Sequence, residues 1–481
     1  MTGSVIDKTV IRRETEHINR IYPETTSQKK LILLVSDNSL ETIALYCYHM
    51  TKRNTVLLVG DKKVSDIGAL INQFMPDEIF MDREKVRDVE TEPNLHRSME
   101  EEYQTCFPYY QYVRFRRKQG VPGTLCDDLA LLMVTSGSVG NGKIVALSYD
   151  NLESNAKAIV ESLEIDEHDS AGVILPVSYV YGLSVVNSHL LAGGRLLLPA
   201  GSMFQRSYWD FLEACGVTSF CGVPYTYEIL DRLRILSRPW KELRLLTQAG
   251  GAMSRDMKQK LLEWLYDRRH QGIMTHLAVM YGQTEATARM STFFLDQHPD
   301  KLDSVGRAVP GGAFQIKNDD HAGTGDIYYS GANVCMGYVK GRTDLSRDAA
   351  VWRQSTWLLD TGDVGRLDED GYLYITGRKK RFIKCNGVRI SLDELERSIE
   401  NRWKVLVVCI AKASNEQLTL FIRTEDFGNF DRVELEGYLR QLGITKGQYQ
   451  VRKVREFHYC DNGKIDYAGF CEGQNGAERG I

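Results

Sequence analysis

The stretch from Leu131 to Ile144, which reads LLMVTSGSVGNGKI, constrains the fold and chemistry of this chain more than any other. It begins within an apolar run, Leu129 to Val134, that is typical of a buried strand. Small, hydroxyl-bearing and basic residues follow: Thr135, Ser136, Gly137, Ser138, Gly140 and Lys143. Glycines let backbone N–H groups curl around an anion, hydroxyls add donors, and the lysine adds a mobile positive charge. The stretch therefore predicts a loop that binds a polyphosphate.

Two nucleotide-binding patterns fit this loop, and the residue after its lysine distinguishes them. Gly137 to Lys143 satisfies the first seven positions of the Walker pattern, after which a Ser or Thr ligates magnesium. Here Ile144 follows, and its apolar side chain cannot bind a metal. Thr135 to Lys143 instead resembles the Thr-Ser-Gly-Ser-Thr-Gly-x-Pro-Lys loop of the adenylate-forming enzymes, which include acyl-CoA synthetases, luciferases and the adenylation domains of peptide synthetases. Val139 and Gly142 depart from that loop, where the family has Thr and Pro.

The composition is that of a globular protein with no general affinity for nucleic acid. The 481 residues suffice for about two to four domains, and they are 43% hydrophobic and 26% charged. A net charge of −4 provides no basic field for nucleic acid. The ten cysteines form no C-x-x-C pair, the first residues lack a secretion signal, and no apolar run approaches the about 20 residues of a membrane helix. We therefore expect a cytoplasmic protein with no membrane span and no nucleic-acid partner.

Apolar runs and amphipathic segments alternate in the first part of the chain. Residues 31–35, 55–60 and 78–81 are typical of buried strands, and residues 38–50 and 64–75 are typical of helices. This order predicts a βαβ arrangement and a parallel sheet.

Later segments and the resemblance complete the predicted architecture. Further strands are predicted at residues 172–176, 195–198, 218–223, 243–247 and 325–331. The resemblance implies an α/β fold with a large N-terminal domain, residues 1–377, that contains two βαβ-type layered sheets and a small β subdomain. It also implies a small, mobile α+β C-terminal domain, residues 378–481.

The segment from Pro176 to Leu183 resembles the family segment P-x-x-x-x-Y-G-L, which lies beside the acyl pocket. The resemblance implies that Tyr179, Tyr181 and Gly182 form this pocket, although Tyr179 stands where the family often has His. The alternative is a helix start with buried aromatic residues. No Asp or Glu occurs between residues 171 and 199, where amino-acid adenylation domains place an aspartate against the substrate's ammonium group. We therefore expect a carboxylate substrate that has no α-amino group.

Two further segments resemble the family's adenine-binding and phosphate-binding motifs. A glycine pair follows the predicted strand 243–247, and glycines let a flat ring approach the backbone, although a tight turn is the alternative. Residues 281–285 satisfy every fixed position of the motif Tyr-Gly-x-Thr-Glu. The resemblance implies that Thr284 lies near the α-phosphate and that Glu285 ligates magnesium, so both are candidate catalytic residues. The adenine contacts that it implies are Gly250, Gly251, Ala252, Tyr281 and Gly282.

The family's ribose-binding motif Thr-Gly-Asp matches residues 361–363. A carboxylate can accept hydrogen bonds from both hydroxyls of a vicinal diol, so Asp363 is the predicted ribose ligand. Arg378 is implied as a second ribose or phosphate contact. Asp360 stands where the family often has Arg or Lys, and the sequence offers no reason for this change.

The segment that follows resembles the family's hinge. Residues 377–380 match G-R-x-(D/K), which implies that the C-terminal domain turns at Lys380. Residues 383–390 match I-K-x-x-G-x-R-I, which implies that Gly387 lines the passage of the thiol. Taken alone, the basic residues in this region are equally typical of a solvated surface.

Near the end of the chain, residues 460–466 resemble the family segment that carries the catalytic lysine. Lys464 would stabilise the negative charge that develops on the α-phosphate when a carboxylate attacks it. His458 and Cys460 replace the usual Pro and Thr. The alternative is an Asn-Gly-Lys turn with a surface lysine.

In the family's order, these motifs predict an acid–thiol ligase. ATP, with Mg²⁺, and a small-molecule carboxylic acid would give an acyl-adenylate and pyrophosphate, and a thiol would then displace AMP. The thiol would be coenzyme A or the phosphopantetheine of an acyl carrier protein. Two other hypotheses stay open: a phosphotransferase that releases ADP, and a non-catalytic nucleotide-binding relative.

Overall fold

The chain is described by a computed structural model that covers most of its length. The described residues are 3–23, 28–60, 62–135, 143–319, 323–348, 352, 358–385, 388–412, 417–429, 431–460 and 464–471. Four predicted phosphate-loop residues and the predicted thiol-passage residue lie outside them: Ser136, Gly137, Ser138, Gly140 and Gly387.

Two eight-stranded sheets dominate the part of the chain that is described. The strands of the first sheet, in spatial order, are Gly337–Val339, Ile144–Ser148, Leu129–Val134, Thr55–Val59, Leu31–Val35, Glu78–Asp82, Tyr112–Arg117 and Tyr103–Tyr109. Those of the second are Gly3–Ile6, Arg195–Pro199, Ser170–Gly172, Ser219–Gly222, Leu245–Gln248, His276–Tyr281, Ser291–Phe294 and Arg307–Ala308. The predicted fold class, a large α/β unit with two layered sheets, is confirmed.

Smaller sheets follow along the chain. A four-stranded antiparallel sheet forms the predicted β subdomain, from strands Ala313–Lys317, Gly325–Ser330, Leu359–Leu367 and Leu373–Arg378. The C-terminal part contains a hairpin and a three-stranded sheet, with strands Phe382–Cys385, Val388–Ser391, Val407–Lys412, Gln417–Arg423 and Tyr449–Val454.

Helices cover both faces of the large sheets. In the N-terminal part they are Lys8–Ile21, Leu40–Thr51, Val64–Phe74, Arg83–Glu90, Pro93–Glu102, Tyr149–Leu163, Val180–Ala192, Arg206–Ala214, Pro224–Arg232 and Arg255–His270. In the C-terminal part they are Leu392–Trp403, Arg432–Gln441 and Tyr467–Cys471. Among the described residues, no helix has the length and apolar character that crossing a membrane requires.

Strand alternation explains how the first sheet is buried on both sides. All five residues of Leu31–Val35 are buried, and alternate side chains enter two different cores. One core includes the helix Val64–Phe74 and the other includes the helix Leu40–Thr51, which Ser39 caps by accepting a hydrogen bond from the Thr42 N–H.

The helices Tyr149–Leu163 and Val180–Ala192 form a layer between the two large sheets. Val180 and Leu183 pack in a core with the first sheet, whereas Tyr181 and Val185 pack in a core with the second. Because Tyr179 and Tyr181 stand at the start of the second helix, they lie at the boundary between both sheets.

The structure corrects two sequence-based expectations. The first sheet is parallel only in its centre, because the strands from Tyr103, Tyr112, Ile144 and Gly337 pair antiparallel at its edges. The strand expected at 172–176 ends at Gly172. Beyond it, the Leu175 C=O and the Val177 N–H bond to the Asn38 side chain, at 3.0 and 2.9 Å, instead of to a neighbouring strand.

Candidate active site

The predicted site residues meet at the carboxyl ends of two parallel strands of the second sheet. Leu245–Gln248 leads to the glycine pair, and the adjacent strand His276–Tyr281 leads to the segment 282–285. Ligands of open α/β sheets bind in the crevice outside such strand ends. Asp363, the predicted ribose ligand, reaches this edge from the β subdomain. Lys464, the predicted catalytic lysine, reaches it from the C-terminal part.

Asp363 is the centre of a buried polar group. Its side chain accepts a short hydrogen bond from the Tyr281 hydroxyl, and its Oδ1 lies 3.3 Å from Arg378 Nε. Burial raises the pKa of the Asp363 carboxyl, and the Arg378 charge opposes this shift. Burial, and then the Asp363 charge, raise the pKa of Tyr281 well above its usual value, so Tyr281 stays a hydrogen-bond donor.

The backbone at Gly282 and Gly250 is too closely packed for a side chain. A Cβ atom on Gly282 would lie 1.6 Å from the Ala288 carbonyl oxygen. Gly250 adopts a φ of +83°, and a Cβ there would lie 2.8 Å from the Tyr179 hydroxyl and 3.6 Å from Lys464 Cε. These glycines therefore let other groups approach the strand ends closely. Gly251 and Ala252 are exposed beside them, and the Gly251 carbonyl accepts a 2.8 Å bond from Gln248.

Lys464 enters the same crevice from the C-terminal part. Its Nζ lies 5.6 Å from the centroid of the Tyr179 ring. Burial, and then the Arg378 charge, lower the pKa of Lys464 to about 8, while the Asp363 charge opposes this shift. The segment is held by a 2.7 Å bond from the Cys460 N–H to the Lys464 carbonyl. The side chain of Lys464 is thus half-buried, which favours the predicted role over an exposed turn with a surface lysine.

Two contacts hold the C-terminal part against the N-terminal part near this lysine. Tyr459 stacks on Tyr225 with ring centroids 4.1 Å apart. Lys404 Nζ lies 2.7 Å from Asp256 Oδ1. Tyr225 thus forms part of this contact surface.

Glu285 and Lys143 are linked by a tyrosine that the sequence did not single out. The Tyr338 hydroxyl donates a 2.7 Å bond to Glu285 Oε1, and Lys143 Nζ lies 4.3 Å from the centroid of the Tyr338 ring. The Thr135 N–H donates a 2.9 Å bond to the Lys143 carbonyl, so the two described ends of the phosphate loop are paired. Thr284 begins a short 3₁₀ helix next to Glu285.

The predicted acyl-pocket residues adjoin this group. Tyr179 and Tyr181 make an edge-to-face contact with ring centroids 6.2 Å apart, and the Tyr181 hydroxyl lies 2.8 Å from Thr247 Oγ1. A Cβ on Gly182 would lie 2.2 Å from the Pro176 carbonyl oxygen, which explains why the first turn of this helix contains a glycine.

The structure also supplies the missing reason for Asp360. Lys379 Nζ lies 2.7 Å from Asp360 Oδ1 and 3.3 Å from Asp326 Oδ2. Asp360 is thus the ionic partner of the lysine that precedes Lys380. The side chain of Lys380 is exposed.

Arg289 is the second residue that sequence reasoning missed. It lies four positions after Glu285 and is 2% exposed. The centre of its guanidinium lies 4.5 Å from the centroid of the Tyr181 ring. Arg289 lies two residues before the strand Ser291–Phe294. The sequence alone does not show that it is buried.

Comparisons with known proteins identify relatives of this chain. A family model described as AMP-binding enzyme matches residues 55–339. The chain is 31% identical over 283 residues to a probable CoA ligase CCL9 of Humulus lupulus and 32% identical over 279 residues to an oxalate–CoA ligase of Arabidopsis thaliana. Each alignment covers 56% of this chain but only 51% and 52% of those two relatives, which is about half their length. A 2-succinylbenzoate–CoA ligase of Lactococcus lactis is 25% identical, and the alignment covers 70% of both chains.

Solved structures share the fold at low sequence identity. ATP-bound MatB from Rhodopseudomonas palustris has a TM-score of 0.71 and 20% identity, with 96% of this chain and 92% of that chain covered. An o-succinylbenzoate CoA synthetase from Bacillus subtilis, in complex with its acyl-adenylate intermediate, has a TM-score of 0.69 and 18% identity, with 98% and 93% covered. Since the family model spans more than half of the sequence, the chain belongs to the family of AMP-binding enzymes.

Proposed function

We propose that the protein is an ATP-dependent acid–thiol ligase. In the first step a carboxylate oxygen attacks the α-phosphorus of ATP, the bond to the bridging oxygen breaks, and pyrophosphate leaves. In the second step a thiol attacks the acyl carbon, AMP leaves, and the thiol proton passes to solvent. The observation that carries the proposal is the meeting of Lys464, Gly250 and Asp363 in one crevice.

Each group in the crevice has a role in the first step. Asp363, with Arg378 beside it, would accept hydrogen bonds from the ribose hydroxyls. Lys464 would place its positive charge on the α-phosphate as negative charge develops there. The phosphate loop that ends at Lys143 would hold the outer phosphates, and Thr284 would contact the α-phosphate.

The residues present suit a magnesium ion. Glu285 provides a carboxylate with Oε1 oriented by Tyr338, and magnesium prefers hard oxygen ligands of this kind. When bound, the ion would neutralise part of the phosphate charge.

The second step requires the thiol to enter where Lys464 stands. We propose that residues 378–481 rotate at Lys380, which withdraws Lys464 and opens a passage beside Gly387. The Tyr225–Tyr459 stack and the Lys404–Asp256 ion pair would break in this rotation.

The acceptor is proposed to be coenzyme A, because named relatives are CoA ligases. A carrier-protein phosphopantetheine is the second candidate. A reducing, cytoplasmic location is proposed because the ten cysteines are scattered and form no C-x-x-C pair.

The experiment is a screen of carboxylic acids by pyrophosphate release, with chromatography of the spent nucleotide and with coenzyme A or a carrier protein as the acceptor. Acid-dependent AMP and pyrophosphate are expected. ADP would instead identify a phosphotransferase. ATP binding without pyrophosphate release from any acid would identify a non-catalytic relative.

A further inference from the structure

Arg289 is a buried cation that has no ionic partner among the residues that the structure describes. It lies in the chain between the 3₁₀ helix Thr284–Ala286 and the strand Ser291–Phe294, and only 2% of the residue is exposed. Among the described residues, no Asp or Glu carboxylate lies within 4.0 Å of its guanidinium nitrogens. Burying a charge is costly unless it is paired, and a guanidinium cannot lose its proton to escape that cost.

The hydrogen bonds of Arg289 are incomplete as well. Its Nη2 donates one long bond, 3.3 Å, to Ser184 Oγ, and its buried Nε finds no acceptor in the described part of the chain. Contact with the face of the Tyr181 ring supplies a cation–π interaction, but this leaves the Nε–H donor unsatisfied.

A second buried arginine in the same chain shows what a purely structural role looks like. Arg268 is 5% exposed and likewise has no carboxylate partner in the described chain. Its Nε donates to Thr275 Oγ1 at 2.9 Å, and its Nη2 donates to the carbonyls of Trp240 and Leu243 at 2.6 and 3.1 Å. Arg268 therefore donates to three acceptors of the protein, whereas Arg289 donates to one.

Arg289 lines a small cavity of about 10 Å³ between the central helix layer and the second sheet, and this cavity must widen to admit a carboxylate. The other polar residues of this cavity are Ser188, His189, Ser219 and Thr247. Burial lowers the pKa of His189 to about 4, so its ring is neutral. Within the described lining, Arg289 thus supplies the only positive charge.

The cavity adjoins the predicted acyl pocket. Arg289 contacts the ring of Tyr181, Tyr181 contacts Tyr179, and Lys464 contacts the ring of Tyr179. The two cations are therefore separated by a pair of tyrosine rings whose centroids are 6.2 Å apart. One cation would serve the phosphate that the acid attacks, and the other is placed to bind a distant group of the same acid.

We infer that Arg289 binds a second carboxylate of the acid, so that the substrate is a dicarboxylic acid with a spacer of several carbon atoms. This inference rests on the proposed ligase function. One carboxyl group forms the adenylate and then the thioester, while the other stays ionised against Arg289 and is chemically unchanged. The absence of Asp and Glu between residues 171 and 199 agrees with this inference, because that segment provides no carboxylate to pair with an ammonium group of a substrate.

The test compares α,ω-dicarboxylates, from succinate to suberate, with monocarboxylates of equal chain length, by pyrophosphate release. The native enzyme is expected to favour a dicarboxylate in kcat/KM by about 100-fold, which is the effect of a charge-assisted, buried contact. Arg289→Met, which keeps the side-chain length and removes the charge, is expected to abolish or reverse that ratio. Arg268→Met is the matched control, since it removes an equally buried guanidinium and should leave the ratio intact.

A second measurement does not depend on turnover. The preferred dicarboxylate should raise the melting temperature of the native enzyme and leave that of Arg289→Met unchanged. Arg289→Lys covers the case in which the methionine variant does not fold, and it should keep part of the preference. A ratio that Arg289→Met leaves unchanged, or a native preference for a monocarboxylate or a neutral polar acid, would overturn the inference while the ligase function stands. No pyrophosphate from any acid would overturn the ligase function, and the melting measurement would then decide the binding of a dicarboxylate by itself.

Discussion

The two ends of the crevice, which we propose bind the nucleotide and the acid, differ in how the protein pairs their charged groups. At the nucleotide end, Asp363 lies between the Tyr281 hydroxyl and the Arg378 guanidinium, with Lys464 close by. At the acid end, Arg289 has one long hydrogen bond and, among the described residues, no carboxylate. The first end balances its charges within the protein, whereas the second leaves one charge to be balanced by a ligand.

This difference separates two requirements of the proposed reaction. ATP is the same in every member of such a family, so its ligands can be held in place by mutual contacts before it binds. The acid differs from enzyme to enzyme, and an unsatisfied buried group discriminates strongly, because only a ligand that satisfies it recovers the cost of its burial.

The largest expected effect is at the nucleotide end. Lys464→Ala should reduce acid-dependent pyrophosphate release by about 100- to 1,000-fold, because the lost cation stabilises charge that develops in the transition state. ATP binding, measured by calorimetry, should survive. The exposed Lys446 of the same C-terminal part provides the control, and Lys446→Ala should keep full activity. Unchanged adenylate formation in Lys464→Ala would remove this lysine from the mechanism.

A smaller effect is expected for Asp363, the proposed ribose ligand. Asp363→Asn keeps the shape of the side chain but removes its charge, so the KM for ATP should rise about 10- to 100-fold, with less effect on kcat. The comparison variant is Asp360→Asn, which alters a half-exposed carboxylate on the same strand and should change the KM only slightly. Equal effects of the two variants would contradict the assignment of the ribose to Asp363.

The charge state of Lys464 predicts a pH dependence of the first step. Burial lowers its pKa to about 8, and only the protonated amine is cationic. The rate of adenylation should therefore be about half-maximal near pH 8, fall by about tenfold for each pH unit well above that value, and hold steady more than about one unit below it. Lys464→Arg, whose guanidinium keeps its proton, should lose this alkaline decline even if its overall rate is lower. If the adenylation rate of Lys464→Arg still declines at alkaline pH, the decline is caused by a titratable group other than Lys464.

The smallest effect concerns the tyrosine between the phosphate loop and Glu285. Tyr338→Phe removes the hydroxyl that bonds to Glu285 and keeps the ring that Lys143 contacts. We expect the magnesium concentration for half-maximal activity to rise about fivefold, which is the effect of one hydrogen bond. An unchanged magnesium dependence would show that Tyr338 does not orient Glu285.

Local pattern was sufficient for much of the fold. The buried run Leu31–Val35 and the cap at Ser39 were predictable because strand burial and helix capping depend on neighbours in the sequence. The strand expected at 172–176 was overextended, because the backbone beyond Gly172 pairs with Asn38, which lies more than a hundred residues earlier. No local rule could indicate that pairing.

The sequence by itself determined the family, the layered α/β fold and the ordered set of nucleotide motifs, because each motif is a short segment whose residue types state their chemistry. Only the tertiary structure decided that Lys464 is enclosed beside Tyr179 and that Tyr338 orients Glu285. It also decided that Arg289 makes one long side-chain hydrogen bond within the described part of the chain, whereas Arg268 donates to three acceptors. The physical reason is that solvation and pairing of a charged group depend on which distant elements pack around it, and two arginines that look alike in a sequence differ only there.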